Sequence, residues 1–317
     1  MNTVIRFHRY GDASVLEIEN EALGAPGPGQ VRLAQHAIGV NFIDTLFRQG
    51  LFAVPLPAVA GVEGAGIVEA VGVGVNGFAV GDRVAYFLAP GSYAQRRLVE
   101  ADALVKVSDD IPLEEVAAFL TKGLTAWAGL HGYHQLGAGQ TVLVQGASSG
   151  VGQFLGRWAR ALGATVIGTA GSQAKQAALL GDIDHVLPSD APDLAQRVRA
   201  LVPGGVDVVY EFIGRATFAA TAASVRDGGT IVNIGAASGA PEIDADELAR
   251  RGVRLTGGPM APHVQASQGR AITEVFEAYR SGLLHTGNVT RYRLTQARQA
   301  HEDIASRLKA GAIVLLP

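Results

Sequence analysis

Gly146, Ala147, Ser148, Ser149, Gly150, Val151 and Gly152 form the stretch best suited to chemistry, because side chains this small let backbone N–H groups reach a phosphate. The apolar run 141–145 ahead of them reads as a buried strand. Behind them Val151, Phe154, Leu155, Trp158 and Leu162 recur at helical spacing, so a one-faced helix follows. Strand, glycine turn and helix in that order open a dinucleotide-binding unit. Gly146 permits a tight exit from the strand, Gly150 lets the backbone approach a pyrophosphate, and Gly152 lets helix and strand pack closely. The spacing departs from a strict GxGxxG, since Ala147 and Ser148 fill the middle of the turn. Glycine turns also end ordinary strands, so the assignment rests on the flanking strand and helix.

The elements that position this turn fall into three zones. Residues 1–121 show short strands (31–34, 66–70, 82–87, 94–98) broken by Gly and Pro, the pattern of a β-rich, partly closed sheet. Residues 122–259 alternate strand and helix. Strands are predicted at 141–145, 165–169, 185–187, 206–210, 229–234 and 253–256, which makes a parallel, doubly wound sheet of six strands. Residues 260–317 return to the first style. A strand is expected at 291–294 and another at 312–316, and between them Ala297, Ala300, Ile304 and Leu308 form a helical stripe capped by Thr295 and stopped by Gly311. The chain is therefore expected to be an α/β protein, with a nucleotide domain over 122–259 inserted into a β-rich domain of 1–121 and 260–317.

Composition narrows the function classes. At 317 residues, 48% apolar and 17% charged, the chain suits a compact enzyme of two domains and argues against disorder. A formal net charge of −3 and the lack of a basic stripe disfavour nucleic acid and anionic membrane as partners. No apolar run is long enough to span a bilayer, and no apolar leader opens the chain, so a cytoplasmic location is expected. With no cysteine, disulfides, thiolate nucleophiles and thiolate-ligated metals are excluded, and the eight histidines form no HxH or HxxxH pair.

Ordered landmarks then link the whole chain to a known family. They are Gly39-Val-Asn-Phe-Ile-Asp-Thr45, Gly61-Val-Glu-Gly-Ala-Gly-Ile-Val68, Gly81-Asp-Arg-Val84, Gly91-Ser-Tyr-Ala94, Lys122-Gly-Leu-Thr125, the glycine turn, Tyr210-Glu-Phe-Ile-Gly214 and Gly311-Ala-Ile-Val-Leu315. In these the chain resembles the zinc-free quinone oxidoreductases (zeta-crystallin-like) of the medium-chain dehydrogenase/reductase superfamily. The resemblance implies a GroES-like catalytic domain with an inserted Rossmann domain, and a homodimer paired through the edge strand near 253–256. In zinc alcohol dehydrogenases of the same fold a cysteine stands where this chain has Asn41, and a histidine where it has Val62. Four further cysteines sit in a lobe that this chain omits between Tyr86 and Tyr93. Asparagine and valine cannot replace a thiolate and an imidazole around Zn²⁺, so no metal is expected and alcohol oxidation is disfavoured.

The expected cofactor is NADPH. NAD-selective sites place a carboxylate about twenty residues beyond the glycine turn, on the ribose 2′-hydroxyl. The corresponding loop here, Ala170-Gly171-Ser172-Gln-Ala-Lys175, offers a hydroxyl and an amine, which suit a 2′-phosphate; the lesser alternative is that Lys175 is a solvated first-turn lysine. A tyrosine and an arginine frequent in the family are replaced by Ser189 and Gly258.

For the reacting end the resemblance implies Asn41, Thr125 and the turn Gly235-Ala236-Ala237. Thr125, near the start of a long helix, is expected to border the nicotinamide. Asn41 is expected to donate its amide to an acceptor oxygen that gains charge, although a turn-closing asparagine would look the same. Leu46 and Phe52 stand where relatives carry aromatic hydroxyls, making the substrate pocket more apolar. Glu63 reads as a hydrogen-bond anchor, Asp44 and Arg48 as an i,i+4 pair, and Trp127 and Trp158 as core. The leading function is NADPH:quinone oxidoreduction. The alternatives are reduction of an alkenal or enone double bond, or a crystallin-like protein that binds NADPH with incidental activity.

Overall fold

The computed structural model describes residues 1–306 and 311–317, and its chain divides into two compact units, Met1–Thr121 with Thr286–Pro317, and Lys122–His285. The first unit opens with β1 (Asn2–Phe7), β2 (Glu17–Glu21), β3 (Gln30–Val40), α1 (Phe42–Gln49), β4 (Ala58–Val59), β5 (Glu63–Val71), β6 (Arg83–Tyr86), β7 (Arg96–Glu100) and β8 (Val105–Lys106). The helix α2 (Leu113–Trp127) then leads into the second unit.

That second unit carries β9 (Thr141–Gln145), α3 (Gly150–Ala161), β10 (Thr165–Ala170), α4 (Gln173–Ala177), β11 (His185–Pro188), α5 (Leu194–Leu201), β12 (Val206–Glu211), α6 (Phe218–Ser224), β13 (Val225–Asn233), α7 (Ala245–Arg250), β14 (Arg254–Gly257), α8 (Ala261–Ala266) and α9 (Arg270–Arg280). The chain closes in the first unit with β15 (Val289–Arg293), α10 (Ala297–Ser306) and β16 (Ala312–Leu316). Of the expected stripe on α10, Ala297 and Ala300 are buried and Ile304 packs beside them, while Leu308 lies outside the described residues.

In the first unit a seven-stranded sheet runs β15-β16-β3-β5-β6-β8, with β7 paired to β3, beside a three-stranded sheet β2-β1-β4. The closing strand β16 lies antiparallel to β3, Ile313 opposite Val40, so the last residues of the chain complete a sheet begun by the first forty.

In the second unit all six strands are parallel, in the order β11-β10-β9-β12-β13-β14. The order reverses between β9 and β12, and an open α/β sheet binds its ligand at the carboxyl ends beside such a switch point. Leu143, Ile167, Val209 and Ile231 from four neighbouring strands are fully buried in one cluster. Each contributes roughly 1.5–3 kcal/mol by leaving water, which makes the sheet a stiff base for the loops above it.

The compact unit that holds the parallel sheet runs from Lys122 to His285 and takes in α8 and α9. The Trp127 indole N–H donates to Glu274 at 2.6 Å, and the rings of Tyr133 and His263 meet edge to face at 4.2 Å. The apolar face of α9 (Ala271, Val275, Phe276, Ala278) is buried.

Candidate cofactor and acceptor sites

The glycine turn adopts the shape its residue types suggest. Gly146 leaves β9 in the left-handed region (φ 76°), and a Cβ on Gly152 would lie 2.8 Å from Ala147 Cα. Gly152 is therefore required for the approach of α3 to the strand exit. Ser149 caps α3, its hydroxyl accepting Gly152 N–H at 3.0 Å, while Ala147 N–H donates to Thr169 O at 2.9 Å and Ser149 N–H to Gly146 O at 3.0 Å. Gly150 and Val151 then supply the first-turn N–H groups that have no acceptor within the helix, the donors that favour an anion at a helix N-terminus. A Cβ on Gly150 would press on the methylenes of Lys122 at 2.9 Å, so this glycine leaves room for the lysine stem as well as for a ligand. The cradle fits a dinucleotide pyrophosphate.

Beyond β10 the loop carries Gly171, Ser172 and Lys175. Ser172 caps α4 by accepting Lys175 N–H at 3.3 Å, which leaves its hydroxyl proton to donate elsewhere. Ser189, in the loop after β11, packs beside this loop: its N–H donates to Ala170 O at 3.1 Å and its Oγ lies 3.4 Å from where a Cβ on Gly171 would stand. Gly235 and Ala236 follow β13. Gly235 N–H donates to Glu211 O at 3.1 Å, and a Cβ on Gly235 would lie 2.7 Å from Phe212 Cα, so the loops after β12 and β13 pack directly together. Thr125, expected near the start of the long helix, stands close to its end: α2 runs from Leu113 to Trp127 and continues as a wider turn to Tyr133.

Asn41 is the N-cap of α1 and buried. Its backbone N–H donates to Asp44 Oδ2 at 2.9 Å, and its side-chain amide donates to Glu63 Oε2 at 2.6 Å. Glu63, fully buried, also accepts Thr121 N–H at 2.7 Å, so it anchors the end of β3, the start of α1 and a turn of α2.

The expected Asp44–Arg48 pairing gives way to other partners. Asp44 accepts from the Tyr93 hydroxyl at 3.1 Å, while Arg48 donates to Gly11 O at 3.1 Å and to His301 Nδ1 at 2.9 Å. His301 Nε2 is 2.9 Å from the Tyr93 hydroxyl. Burial, reinforced by Asp44, pushes the Tyr93 phenol well above its ordinary range, and burial followed by Arg48 pulls His301 down to about 3. These contacts join residues far apart in sequence, and spacing along the chain gives no sign of them.

On the same helix Leu46 is half-buried; Phe52, just beyond it, is exposed and packs against Phe47 with centroids 5.7 Å apart. Neither Leu46 nor Phe52 carries a hydroxyl. Trp127 and Trp158 are buried, as core residues should be.

Among the described residues, the one group of His and acidic side chains close enough to share a metal is His8, Glu17 and Glu19, at the surface between β1 and β2. No helix among them is long and apolar enough to cross a membrane.

Comparison with known proteins finds both domain types in this chain. Residues 27–109 match the family described as alcohol dehydrogenase GroES-like domain, and residues 150–269 match that described as zinc-binding dehydrogenase. The 2-haloacrylate reductase of a Burkholderia species is 39% identical over 98% of this chain and 97% of its own length. A quinone oxidoreductase of Pseudomonas aeruginosa is 38% identical over 99% of each. The crystal structure of Escherichia coli quinone oxidoreductase complexed with NADPH superposes with a TM-score of 0.95 at 32% identity, covering 99% of this chain and 100% of that one. Full-length similarity of this kind, on a GroES-like sheet and a parallel sheet with a dinucleotide turn at its switch point, shows that the chain belongs to the quinone oxidoreductase family of the medium-chain dehydrogenases/reductases.

Proposed function

We propose that this protein is an NADPH:quinone oxidoreductase that works without zinc. The observation that carries the reading is the Asn41–Glu63 hydrogen bond. Zinc-dependent members of the superfamily place a thiolate at the position of Asn41; here an amide stands there, already engaged with a buried carboxylate. An amide polarised in this way orients an acceptor by hydrogen bonding but offers no thiolate for a Lewis-acidic ion. When bound, the dinucleotide supplies the hydride. Gly146 to Gly152 hold its pyrophosphate, Ser172 and Lys175 its 2′-phosphate, and Thr125, Gly235 and Ala236 the nicotinamide end. Asn41 orients the acceptor oxygen, while Leu46 and Phe52 give the acceptor ring an apolar surface to pack on. With no hydroxyl at either position, the proton that completes hydroquinone comes from water or from a cofactor hydroxyl.

A second acceptor class has its own support. The relative named 2-haloacrylate reductase covers nearly the whole chain, and the lack of hydroxyls at Leu46 and Phe52 suits an activated alkene as well as a quinone. NADPH oxidation followed with 1,4-benzoquinone, with a 2-alkenal, with 2-chloroacrylate and with no acceptor separates the cases. Faster turnover with the quinone supports the main reading. Turnover confined to the alkenes moves the assignment to double-bond reduction, and NADPH binding without turnover on any of them leaves a crystallin-like binding protein. The proposed assembly is a homodimer through β14, whose Leu255 is exposed on the edge of the parallel sheet. Light scattering that gives a single chain mass at all concentrations would contradict it.

A further inference from the structure

A chain of buried polar side chains runs beneath the dinucleotide loops. Gly146 N–H donates to Thr169 Oγ1 at 3.1 Å, and that hydroxyl donates to Gln145 Oε1 at 2.8 Å. Gln145 Nε2 donates to Thr221 Oγ1 at 3.2 Å, and Thr221 donates to Glu211 Oε2 at 2.5 Å. Glu211 also accepts Ile213 N–H at 2.7 Å, Gly214 N–H at 2.9 Å and the Thr217 hydroxyl at 2.9 Å. Gln145, Thr169, Glu211 and Thr221 are completely excluded from solvent. A fully satisfied network in such a place is rigid, and one missing partner is felt along its length.

The network joins loops that are separate in sequence. Thr169 holds the glycine turn twice, through its hydroxyl to Gly146 and its carbonyl to Ala147. Glu211 holds the loop after β12, which is tied to the loop after β13 by Arg215 N–H to Gly239 O at 3.0 Å and by the Ser238 hydroxyl to Ile213 O at 2.8 Å. The Ile213 side chain reaches back to the glycine turn, 2.8 Å from where a Cβ on Gly146 would be.

We propose that Glu211 is a positioning residue for the dinucleotide: through Thr221, Gln145 and Thr169 it holds the glycine turn and the loops after β12 and β13 in one preformed cradle. The inference rests on the dinucleotide occupying the glycine turn. Each hydroxyl in the chain has one proton to give, and every donation runs toward Glu211, so the terminus must accept on both oxygens and donate from neither. Glutamine would place an N–H where Thr221 delivers its proton. The hydroxyls and the Gln145 amide would then have to reverse, and wherever the reversal stops a buried donor is left without an acceptor. Thr169, which holds the glycine turn, lies on that route. A cradle that is no longer preformed must be ordered by the ligand, which weakens binding.

The test is calorimetric titration of NADPH into the wild-type protein, Glu211→Gln, Thr169→Val, Thr221→Val and the Glu211→Gln/Thr169→Val double variant, with melting curves and steady-state kinetics for each. The expected result is a rise in Kd and KM for NADPH of about fivefold or more in each single variant, with kcat at saturating NADPH within about twofold, and a double variant weaker by less than the product of the singles. Folded Glu211→Gln with native Kd overturns the proposal, as does a loss of kcat with Kd unchanged. If Glu211→Gln does not fold, Thr221→Val decides, since it keeps the carboxylate, and a native Kd there also overturns the proposal. Failure of the wild-type protein to bind NADPH would instead overturn the placement of the dinucleotide on which the proposal rests.

Discussion

Arg48 and His301, 253 positions apart in the chain, meet in the interior of the first unit with Nη1 and Nδ1 separated by 2.9 Å. A guanidinium has no acceptor, so His301 Nδ1 must present its lone pair, and the imidazole is neutral with its proton on Nε2. That proton goes to the Tyr93 oxygen, and the Tyr93 proton goes to Asp44, which also accepts the Asn41 backbone N–H. The helix that carries Asn41 and Leu46 is thus tied to α10, near the far end of the chain.

Acid should loosen this tie. Burial first, and Arg48 second, lower His301 from an ordinary 6.5 to about 3, so the unfolded chain binds a proton that the folded one refuses. The stability is intact above pH 6.5 and is lost as the pH falls through the window down to about 3, on the order of several kcal/mol in all. Urea unfolding at a series of pH values should show a shallower acid slope for His301→Gln than for the wild type. Parallel slopes would show that the imidazole is not the group concerned.

Removing the Asn41 amide should affect the reaction and the fold by different routes. Asn41→Ala removes the amide that donates to the buried Glu63 Oε2, a cost of about 1–3 kcal/mol in stability. Because the amide is assigned to the acceptor, turnover should fall more than NADPH affinity. Native turnover on every acceptor in the folded variant would remove Asn41 from the mechanism.

Cofactor choice should depend on Lys175. Lys175→Ala should raise the Michaelis constant for NADPH by about tenfold to hundredfold, the loss of a charge-assisted contact of roughly 1.5–3 kcal/mol, and leave that for NADH nearly unchanged. Equal use of both cofactors by the native protein would contradict the assignment.

Metal dependence offers a fourth check. A saturated aldehyde or an alcohol needs an alkoxide stabilised by more than one amide can provide, whereas a quinone or an activated alkene is already electrophilic. Protein purified without a metal-affinity tag should contain well under one equivalent of zinc and should reduce quinones or enones while leaving ethanol unoxidised. Stoichiometric zinc, lost together with activity on chelation, would refute this.

Much of this protein was legible from local sequence pattern. The strand, glycine turn and helix at 141–162, the six strands of the nucleotide-binding unit and the closing strand 312–316 depend on neighbours within a few residues, where apolar periodicity and glycine conformation decide the structure. The family followed from landmarks read in order. Tertiary structure decided the rest. Asp44 and Arg48 have the spacing of a helical ion pair, yet Arg48 turned to His301 and Asp44 to Tyr93, because a buried group takes whichever partner the packed interior brings within reach. The second unit runs on to 285 because α9 found its apolar contacts there, which periodicity could not assign to one domain or the other. Gln145 and Glu211 end their strands, and Thr169 stands one residue before the end of its own, as polar residues after apolar runs, a signal present in the sequence. Only the side-by-side order of β10, β9 and β12 makes them neighbours, since parallel pairing joins strand ends that the chain holds tens of residues apart.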